Sequence, residues 1–548
     1  MTKQVSGEQT YVLPEGAQRV LGRDAMRINI AIGYAVANII KTTLGPKGMD
    51  KMLVSDLGDI VITNDGRTVL EEMNVDHPAA KLMVEVAKTQ DKEVGDGTTT
   101  SVVLAGNLLK KAGELLDQNI HPTVIIKGYE LAAKKAEEAL AKVSEPVSPE
   151  DKETLTKIAC VSMGSKGIGS EDEKRKIAAI MAEAVMQIAE TKSGKTKVDL
   201  DLIKIEKKAG GEVMNTELIK GVLVDKEVVH AGMPKSVKDA KILLLDAALE
   251  IEKTETDAKI EITSPDKMEA FLQQEEKMMR EMAEKIAAVK ANVVFCQKGI
   301  DDLVQHFLSK KGIVAVRRVK KSDMEKLARA SGAVIASTLE DLKDADLGHA
   351  GLVEERKIGG EAMVFVEKCK DPKSVTLFVR GGTDHVASEV ERAVVDARGA
   401  VASALEDGRY VIGGGSVEME ISKELQNYAM HIGGREQLAI QAFADSLESI
   451  PRALAENAGM DVIDTIVSLR NKHKEASGKT VGVDVLNGKV ADLKAIGIYE
   501  PAKVKKQAIA SATETARLIL RIDDIISSRG GSKGGMPPGG MGDMGGMD

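Results

Sequence analysis

The spacing of apolar residues changes character twice along this chain, and that change constrains the fold more than any other feature. Apolar residues recur at helical spacing through about the first 150 positions, as in Ile28, Ile32 and Val36, and again after about residue 380. Between about residues 210 and 370, short apolar runs alternate with helical segments, a pattern typical of an α/β domain. The order helical, α/β, helical predicts a multidomain protein whose middle is inserted into a domain made by both ends.

Size and charge narrow the classes of function. The chain has 548 residues, and at about 150 residues per domain this length predicts roughly three or four domains. Its net charge is −9, because 85 acidic residues outnumber 76 basic ones, and aromatic residues make up only 2% of it. A mixed, acidic surface with few stacking rings argues against nucleic acid as a partner.

The cysteines and the absence of long apolar runs bear on location. Cys160, Cys296 and Cys369 show neither a disulfide framework nor metal-ligand spacing, which favours a reducing compartment. The first ten residues lack the apolar core of a signal peptide, and no run reaches the roughly 18 apolar residues of a membrane span. The sequence therefore predicts a cytoplasmic protein that binds no membrane.

The sharpest local motif runs from Gly95 to Thr100 (GDGTTT), immediately before a predicted helix. Its glycines let backbone approach a ligand, and its threonines add hydroxyls beside the free N–H groups of a helix start, which together suit a phosphate group. The carboxylate of Asp96 adds a hard oxygen of the kind that Mg²⁺ prefers. An ordinary helix N-cap flanked by glycines is the alternative explanation.

Two glycine clusters and two aspartates complete the candidate chemistry. Backbone can approach a ligand at residues 44–48 (LGPKG) and 413–415 (GGG), although turns explain most such clusters. Asp65, in an Asn-Asp-Gly turn, and Asp396, on a long predicted helix, could orient or deprotonate a water molecule near a terminal phosphate. The alternatives are a side chain that stabilises the turn and one on a solvated helix face. The P-loop pattern GxxxxGK[ST] and the zinc pattern HExxH are absent from the sequence.

An acidic, polar stretch at 246–263 interrupts the α/β region and leads into a predicted helix. Ser264 as N-cap, followed by Pro265 and Asp266, marks the helix start. Such a long excursion is typical of a lid or binding element. The apolar stripe of the predicted helix comprises Met268, Phe271, Leu272, Met279 and Met282.

Residues 530–548, with nine glycines and four methionines, predict a flexible tail.

Seven segments occur in a fixed order: LGPKGMDKML, TNDG, GDGTTTSVVLAG, SMGSKG, VVDARGAVASALEDGRYVIGGG, GIYEP and a Gly/Met-rich C-terminal segment. Together they resemble the group II chaperonins of the TCP-1/cpn60 family, and among these the archaeal thermosome type. The resemblance covers nearly the whole chain. It implies a helical equatorial domain, a hinge-like intermediate domain, and an α/β apical domain bearing a helical protrusion that acts as a lid. The implied limits are 1–150 and 407–529 (equatorial), 151–219 and 373–406 (intermediate), 220–372 (apical, with the protrusion at about 246–280) and 530–548 (tail).

Matched position by position, the resemblance implies an ATP site. Asp96 would bind Mg²⁺, with K⁺ a second candidate ion, and Asp65 and Asp396 would position or activate the attacking water. Lys166 would sense the γ-phosphate from the intermediate domain, where an exposed lysine is the alternative. Asp396 would reach the phosphate only when that domain swings inward, which would couple hydrolysis to closure. The other nucleotide contacts would come from Leu44, Gly45, Pro46, Gly97, Thr98, Thr99, Thr100, Gly414, Gly415 and Glu500.

The resemblance further implies ATP-driven encapsulation of non-native polypeptides. The chamber would be formed by two stacked rings of eight or nine subunits, of one type or of paralogous types, with no separate co-chaperonin lid. Two other functions stay open from the residues alone: a nucleotide-independent holdase or scaffold, and a small-molecule phosphotransferase. Core packing is the alternative for each candidate client contact, namely Met268, Phe271, Leu272, Leu303 and Phe307.

Overall fold

The computed structural model describes residues 18–527, apart from 56–57, 59, 74, 252–264 and 371. Most of the predicted acidic stretch and the whole predicted tail therefore lie outside the described residues. Helices dominate both ends and most strands lie in the middle, which confirms the predicted multidomain α and α/β fold class. Within the described part of the chain, no helix combines the length and apolar character needed to span a bilayer.

The helices of the described chain are amphipathic elements of varied length. Their bounds are α1 Gly22–Lys41, α2 Gly66–Glu72, α3 Pro78–Val94, α4 Thr98–Asp117, α5 Pro122–Val143, α6 Lys152–Ser162, α7 Glu171–Ile188, α8 Pro265–Ala288, α9 Asp302–Lys310, α10 Lys321–Ser331, α11 Asp384–Asp407, α12 Ser416–Ile432, α13 Gly434–Leu447, α14 Ser449–Asn457, α15 Val462–Lys472, α16 Leu493–Ile496 and α17 Ala502–Leu520.

The strands are mostly short. Their bounds are β1 Gln18–Leu21, β2 Lys51–Val54, β3 Ile60–Thr63, β4 Glu145–Pro146, β5 Glu190–Lys192, β6 Lys195–Lys197, β7 Ile203–Ala209, β8 Glu217–Ile219, β9 Gly221–Val224, β10 Ser236–Leu245, β11 Val293–Cys296, β12 Val314–Val316, β13 Ile335–Ala336, β14 Gly348–Ile358, β15 Glu361–Glu367, β16 Val375–Gly381, β17 Arg409–Ile412, β18 Val481–Asp484, β19 Lys489–Asp492, β20 Tyr499–Pro501 and β21 Asp524–Ser527.

Both ends of the chain share one hydrophobic core. Buried side chains of α1, α3, α4 and α5 pack with those of α12, α13 and α17. The rings of Tyr129 on α5 and Phe443 on α13 meet edge to face with centroids 5.6 Å apart, and the Tyr129 hydroxyl donates to the carbonyl of Leu108 on α4. Strands β1 and β21 also pair antiparallel. Segments far apart in sequence are thus held in one body.

A second core joins the two segments that flank the middle of the chain. Helices α6 and α7 pack against α11, and β7 pairs in parallel with β16 in the three-stranded sheet β7-β16-β8. Helix α11 also contacts α3 and α17 of the first core. It therefore connects the two cores.

The middle of the chain forms a seven-stranded mixed sheet in the order β12-β11-β10-β14-β15-β9, with β13 beside β10. Strands β10, β11 and β12 are parallel, as the alternation of apolar runs and helices predicted. Strands β14, β15 and β9 are antiparallel. The antiparallel strand β14 was not expected from the sequence, because it carries polar residues between its few buried ones and shows no apolar run.

Replacing Phe443 by alanine should lower the free energy of unfolding by about 3–5 kcal/mol, because a buried ring is lost and a cavity remains. Urea denaturation of the purified chain measures this. Leu438→Ala, on the same helix at a position 40% exposed, is the matched control and should change the free energy by less than about 0.5 kcal/mol. Equal effects of the two variants would contradict a core that depends on Phe443.

Candidate functional site

The GDGTTT segment connects α3 to α4 and leaves the start of α4 open. Gly97, at the N-cap, has a left-handed backbone (φ 77°) and no side chain to satisfy the first N–H groups of α4, which begins at Thr98. A Cβ on Gly97 would lie 2.7 Å from the Val504 side chain. The Gln90 amide donates to the carbonyl oxygens of Asp96 (2.9 Å) and Val504 (3.2 Å), which ties the loop to α17. An uncapped helix start of this kind suits an anion.

Asp65 reaches the same place from the end of the β2–β3 hairpin. The prediction of a turn here was wrong, because Asp65 is the N-cap of α2 and accepts from the Thr68 N–H (2.8 Å) and hydroxyl (2.7 Å). An Asn-Asp-Gly sequence suits either a turn or a helix start. Helices α2 and α4 can approach closely because Gly66 has no side chain. A Cβ at this position would lie 2.5 Å from the Thr99 hydroxyl. Asp65 is thereby held beside the open helix start.

Lys166 links Asp65 to Asp396. It follows the short turn Met163–Ser165 after α6 and is 5% exposed, in contrast to the alternative of an exposed lysine. Its Nζ lies 3.0 Å from a carboxylate oxygen of Asp396 on α11 and 3.5 Å from one of Asp65. Three distant segments of the chain therefore meet at one buried ammonium group.

Helix α11 and the GDGTTT segment touch through backbone atoms. A Cβ on Gly399 would lie 2.7 Å from the Cα of Gly95, and the Ser403 hydroxyl donates to the carbonyl of Val94 at 3.1 Å. Asp396 lies about one turn before Gly399 on the same helix, so it cannot shift against the loop unless this contact opens. The sequence analysis expected Asp396 to arrive only after an inward swing, whereas in this structure it already lies at the site.

The electrostatics of the cluster set three carboxylates against one ammonium group. Burial alone would lower the pKa of Lys166, but Asp396 and Asp65 outweigh it and raise that pKa. Burial would raise the pKa of Asp65, but Lys166 and Thr68 lower it overall. Burial, helped by nearby carboxylates, raises the pKa of Asp396 to about 8 and that of Asp96 to about 6. The site therefore favours a proton on Asp396 and Asp96, and a bound cation would favour their ionised forms instead.

These groups line two adjoining cavities. The smaller, of about 80 Å³, is bounded by Asp65, Lys166 and Asp396 together with the start of α4. The larger, of about 920 Å³, extends from Asp96 past the triple-glycine turn to Glu500. Every residue predicted to bind nucleotide or activate water lies on one of these surfaces: Leu44, Gly45, Pro46, Asp65, Asp96, Gly97, Thr98, Thr99, Thr100, Lys166, Asp396, Gly414, Gly415 and Glu500.

Comparison with known proteins decides the family. The model of the TCP-1/cpn60 chaperonin family matches residues 36–529. The chain belongs to the TCP-1/cpn60 chaperonin family. It is similar to the thermosome subunits of Pyrococcus horikoshii (59% identity over 538 residues, 97% of each chain) and Methanopyrus kandleri (57% over 527 residues, 96% of each chain). It is also similar to thermosome subunit beta of Thermococcus kodakarensis (59% over 538 residues, 97% of this chain and 98% of the relative). These matches confirm the predicted group II chaperonin and its chaperone function, and they do not favour a holdase, a scaffold or a phosphotransferase.

The larger cavity of this chaperonin includes a hairpin that the sequence analysis did not name. The turn between β18 and β19 lines it with Asp484 and Asn487, whose amide donates to the Asp484 carboxylate at 2.8 Å. The Val483 N–H donates to the Gly414 carbonyl at 2.9 Å, which holds the hairpin against the triple-glycine turn. An Asn-Gly pair at 487–488 is a hairpin signal. The contact between this hairpin and Gly414 could not be predicted, because the two lie far apart in the sequence.

Asn64 and Ser165 of the smaller cavity were also missed. Each stands next to a residue that was named, inside the quoted TNDG and SMGSKG segments. The Asn64 amide donates to the Ser165 carbonyl. This bond joins the end of the β2–β3 hairpin to the turn that carries Lys166.

Glu500 belongs to a buried ionic cluster at the edge of the chaperonin cavity. Its carboxylate lies 2.6 Å from Nζ of Lys505, which also lies 2.8 Å from Glu418. Lys505 is 5% exposed, and although burial alone would lower its pKa, the two carboxylates raise it overall. A Cβ on Gly413 would lie 2.3 Å from the Glu500 carboxylate, so the carboxylate packs directly on the glycine turn.

The residues predicted to contact clients differ in exposure. Met268, Phe271 and Leu272 on α8 and Leu303 on α9 are exposed. Phe307 is half-buried in the core below α9, and the Arg280 guanidinium lies 5.2 Å from its ring centroid. The core-packing alternative therefore applies to Phe307.

Lys505→Met should lower the free energy of unfolding by about 3–5 kcal/mol, because it leaves Glu418 and Glu500 without their counter-charge. Lys506→Met, on the same helix, is the control: Lys506 is 57% exposed and pairs with Glu137 at the surface, so its loss should cost less than about 1 kcal/mol. Denaturant unfolding without nucleotide compares the two. A Lys505→Met variant as stable as the parent protein would contradict the argument.

Proposed function

We propose that this chaperonin binds ATP with Mg²⁺ in the two adjoining cavities and uses ATP hydrolysis to encapsulate non-native polypeptides. The observation that carries the proposal is the convergence of an open helix start, three carboxylates and one buried lysine on a single small cavity. The first N–H groups of α4 suit phosphate oxygens. The carboxylates suit a cation and a water molecule, and Lys166 suits the terminal phosphate.

The donor set fits a magnesium ion held jointly by protein and nucleotide. Among the residues that the structure describes, no group of three or more His, Cys, Asp or Glu forms a metal site by itself. Mg²⁺ usually takes one or two carboxylates together with phosphate and water oxygens, and Asp96 offers one carboxylate beside the open helix start. The ion would neutralise charge on the phosphates when bound. Three carboxyl groups beside a single ammonium group favour such a cation, and K⁺ is a second candidate.

An unpaired oxygen supports the presence of a ligand or water in the smaller cavity. Asn64 is 5% exposed and lines this cavity. Its amide oxygen has no hydrogen-bond partner in the described part of the chain. An unpaired buried carbonyl costs about 1–3 kcal/mol, so such groups in native proteins usually find a partner.

Hydrolysis at this site would depend on positioning, because phosphoryl transfer needs little covalent help from a protein. The start of α4 and Lys166 would hold the terminal phosphate. Asp65 and Asp396 would accept hydrogen bonds from the attacking water and align it with the phosphorus. The bond to the leaving phosphate oxygen would then break as the bond to the water oxygen forms.

Helix α11 offers the route from the site to the client-binding region. It carries Asp396, touches the GDGTTT segment at Gly399 and packs on β16, which follows the central sheet in sequence. A change at the contact between Gly399 and Gly95 when nucleotide binds would therefore move α11 together with β16. We expect this motion to close the protrusion at about 246–280, which includes the start of α8, over a chamber. We expect two stacked rings of eight or nine subunits to form that chamber. The protein would act in the cytoplasm without a separate co-chaperonin.

Asp396→Ala should bind ATP normally but hydrolyse it about 10²- to 10⁴-fold more slowly, because the water loses one of its two carboxylate partners. Calorimetry measures binding, and phosphate release measures turnover. Asp407→Ala, an exposed position at the end of the same helix, is the matched control and should turn over like the parent protein. Parental turnover in Asp396→Ala would refute the role of Asp396.

The Mg²⁺-dependent affinity for ATP should fall as the pH is lowered through about 6. Asp96 must lose its proton to hold a cation, and burial raises its pKa to about 6. Calorimetry between about pH 5 and 8 measures this affinity for the wild type and Asp96→Asn. ATP itself takes up a proton in this range, and the variant corrects for that contribution. Identical pH dependence in the two proteins would exclude Asp96 as the ligand.

A further inference from the structure

His473 is a buried histidine outside the lining of both cavities. It caps the end of α15 and is 1% exposed. Its ring Nδ1 lies 2.9 Å from a carboxylate oxygen of Glu420 on α12, and its Nε2 lies 2.8 Å from the backbone carbonyl oxygen of Val481. One imidazole ring therefore joins α15, α12 and the start of β18.

Both ring nitrogens of His473 face acceptors. A neutral imidazole has a single N–H and donates to only one of them. Burial would raise the pKa of Glu420, but the hydrogen bond from His473 and the nearby Lys423 lower it overall, so Glu420 is a carboxylate. Only an imidazolium, with two N–H groups, satisfies a carboxylate and a carbonyl together.

Several charged groups near His473 form ion pairs or hydrogen bonds with residues other than His473. Glu420 is 3% exposed, so its contact with His473 is a buried, charge-assisted hydrogen bond. Lys423 pairs with the second oxygen of Glu420 (3.1 Å), Glu448, the N-cap of α14, pairs with Arg452 (3.2 Å) and Arg470 (2.7 Å), and Asp484 accepts from Asn487 (2.8 Å).

The contact with Val481 connects His473 to the larger cavity. Val481 is the first residue of β18, and the β18–β19 hairpin forms one wall of that cavity. The hairpin is bonded to the triple-glycine turn, which leads directly into α12. Glu420 stands about one helical turn into α12. His473 thus connects the hairpin, through Val481, to the helix that follows the glycine turn, through Glu420, without lining the cavity itself.

We propose that His473, as an imidazolium, is a positioning residue for the adenosine side of the nucleotide cavity. It sets the separation between the β18–β19 hairpin and the start of α12, where the base and ribose enter, without touching the nucleotide. The phosphate end, at the start of α4 and Lys166, does not depend on it. This inference rests on the proposed ATP site, in which the adenosine lies towards Gly414 and Gly415.

His473→Phe keeps a ring of similar size but removes both N–H groups. Calorimetry on the assembled protein should show about a tenfold or greater loss of ATP affinity. Affinity for inorganic tripolyphosphate with Mg²⁺, which has neither base nor ribose, should stay within about twofold of the wild type, because the phosphate end is unchanged. Turnover at saturating ATP should also be retained, so that KM rises while kcat does not. His431→Phe, at an exposed position on α12, is the matched control and should change none of these values.

A second variant keeps the test decisive if His473→Phe does not assemble. His473→Gln retains a single donor and should show the same division between ATP and tripolyphosphate, to a smaller extent.

Two results would overturn the proposal: unchanged ATP affinity in an assembled His473→Phe protein, or an equal loss of ATP and tripolyphosphate binding. The second would show a general structural role rather than one on the adenosine side. Failure of the wild type to bind either compound would instead refute the proposed ATP site, so the two failures are distinguishable.

Discussion

One buried ammonium group holds the residues of the smaller cavity together. Lys166 contacts Asp396 at 3.0 Å and Asp65 at 3.5 Å, and all three side chains are largely shielded from water. Burying a carboxylate is costly unless an opposite charge and hydrogen bonds compensate for the lost water. The burial of Asp65 and Asp396 is therefore stabilised by Lys166, and the burial of the Lys166 ammonium group is stabilised by these two residues. Because these residues belong to different segments, the site exists only when both hydrophobic cores have formed and docked.

The backbone contact between Gly95 and Gly399 fixes the position of α11, and with it Asp396, beside this cluster of charged groups. With no side chain on either residue, α11 lies directly against the segment that binds phosphate in our proposal. Packed elements respond to a local change by discrete shifts rather than by gradual deformation. In our proposal, a displacement of α11 at this contact would reach β16, on which the helix packs. In the wall of the larger cavity, His473 joins α12 to the start of β18 through its contacts with Glu420 and the carbonyl oxygen of Val481.

Several parts of the fold and site could be predicted because their signals are local. The short apolar runs of β2 and β3, and the helical spacing of Val386, Val390 and Val394 in α11, specify their elements within a few residues. The glycine-threonine segment before α4 carries residue types that suit a phosphate group. Asp65 was placed in a turn because its sequence suits a turn and a helix start equally well. The antiparallel half of the central sheet was not anticipated, because pairing partners, rather than apolar runs, determine the direction of β14 and β15.

The sequence by itself determined the family, the alternation of helical and α/β regions, and the identity of the groups that suit a phosphate, a cation and a water molecule. Each of these depends on residue type and short spacing, which the linear chain carries completely. Tertiary structure alone decided which distant groups become neighbours. The burial of Lys166, the docking of Gly399 on Gly95 and the two contacts of His473 all arise when separate segments exclude water from a common interface. The strength and protonation of those contacts depend on the water that is lost there, which no spacing along the chain expresses.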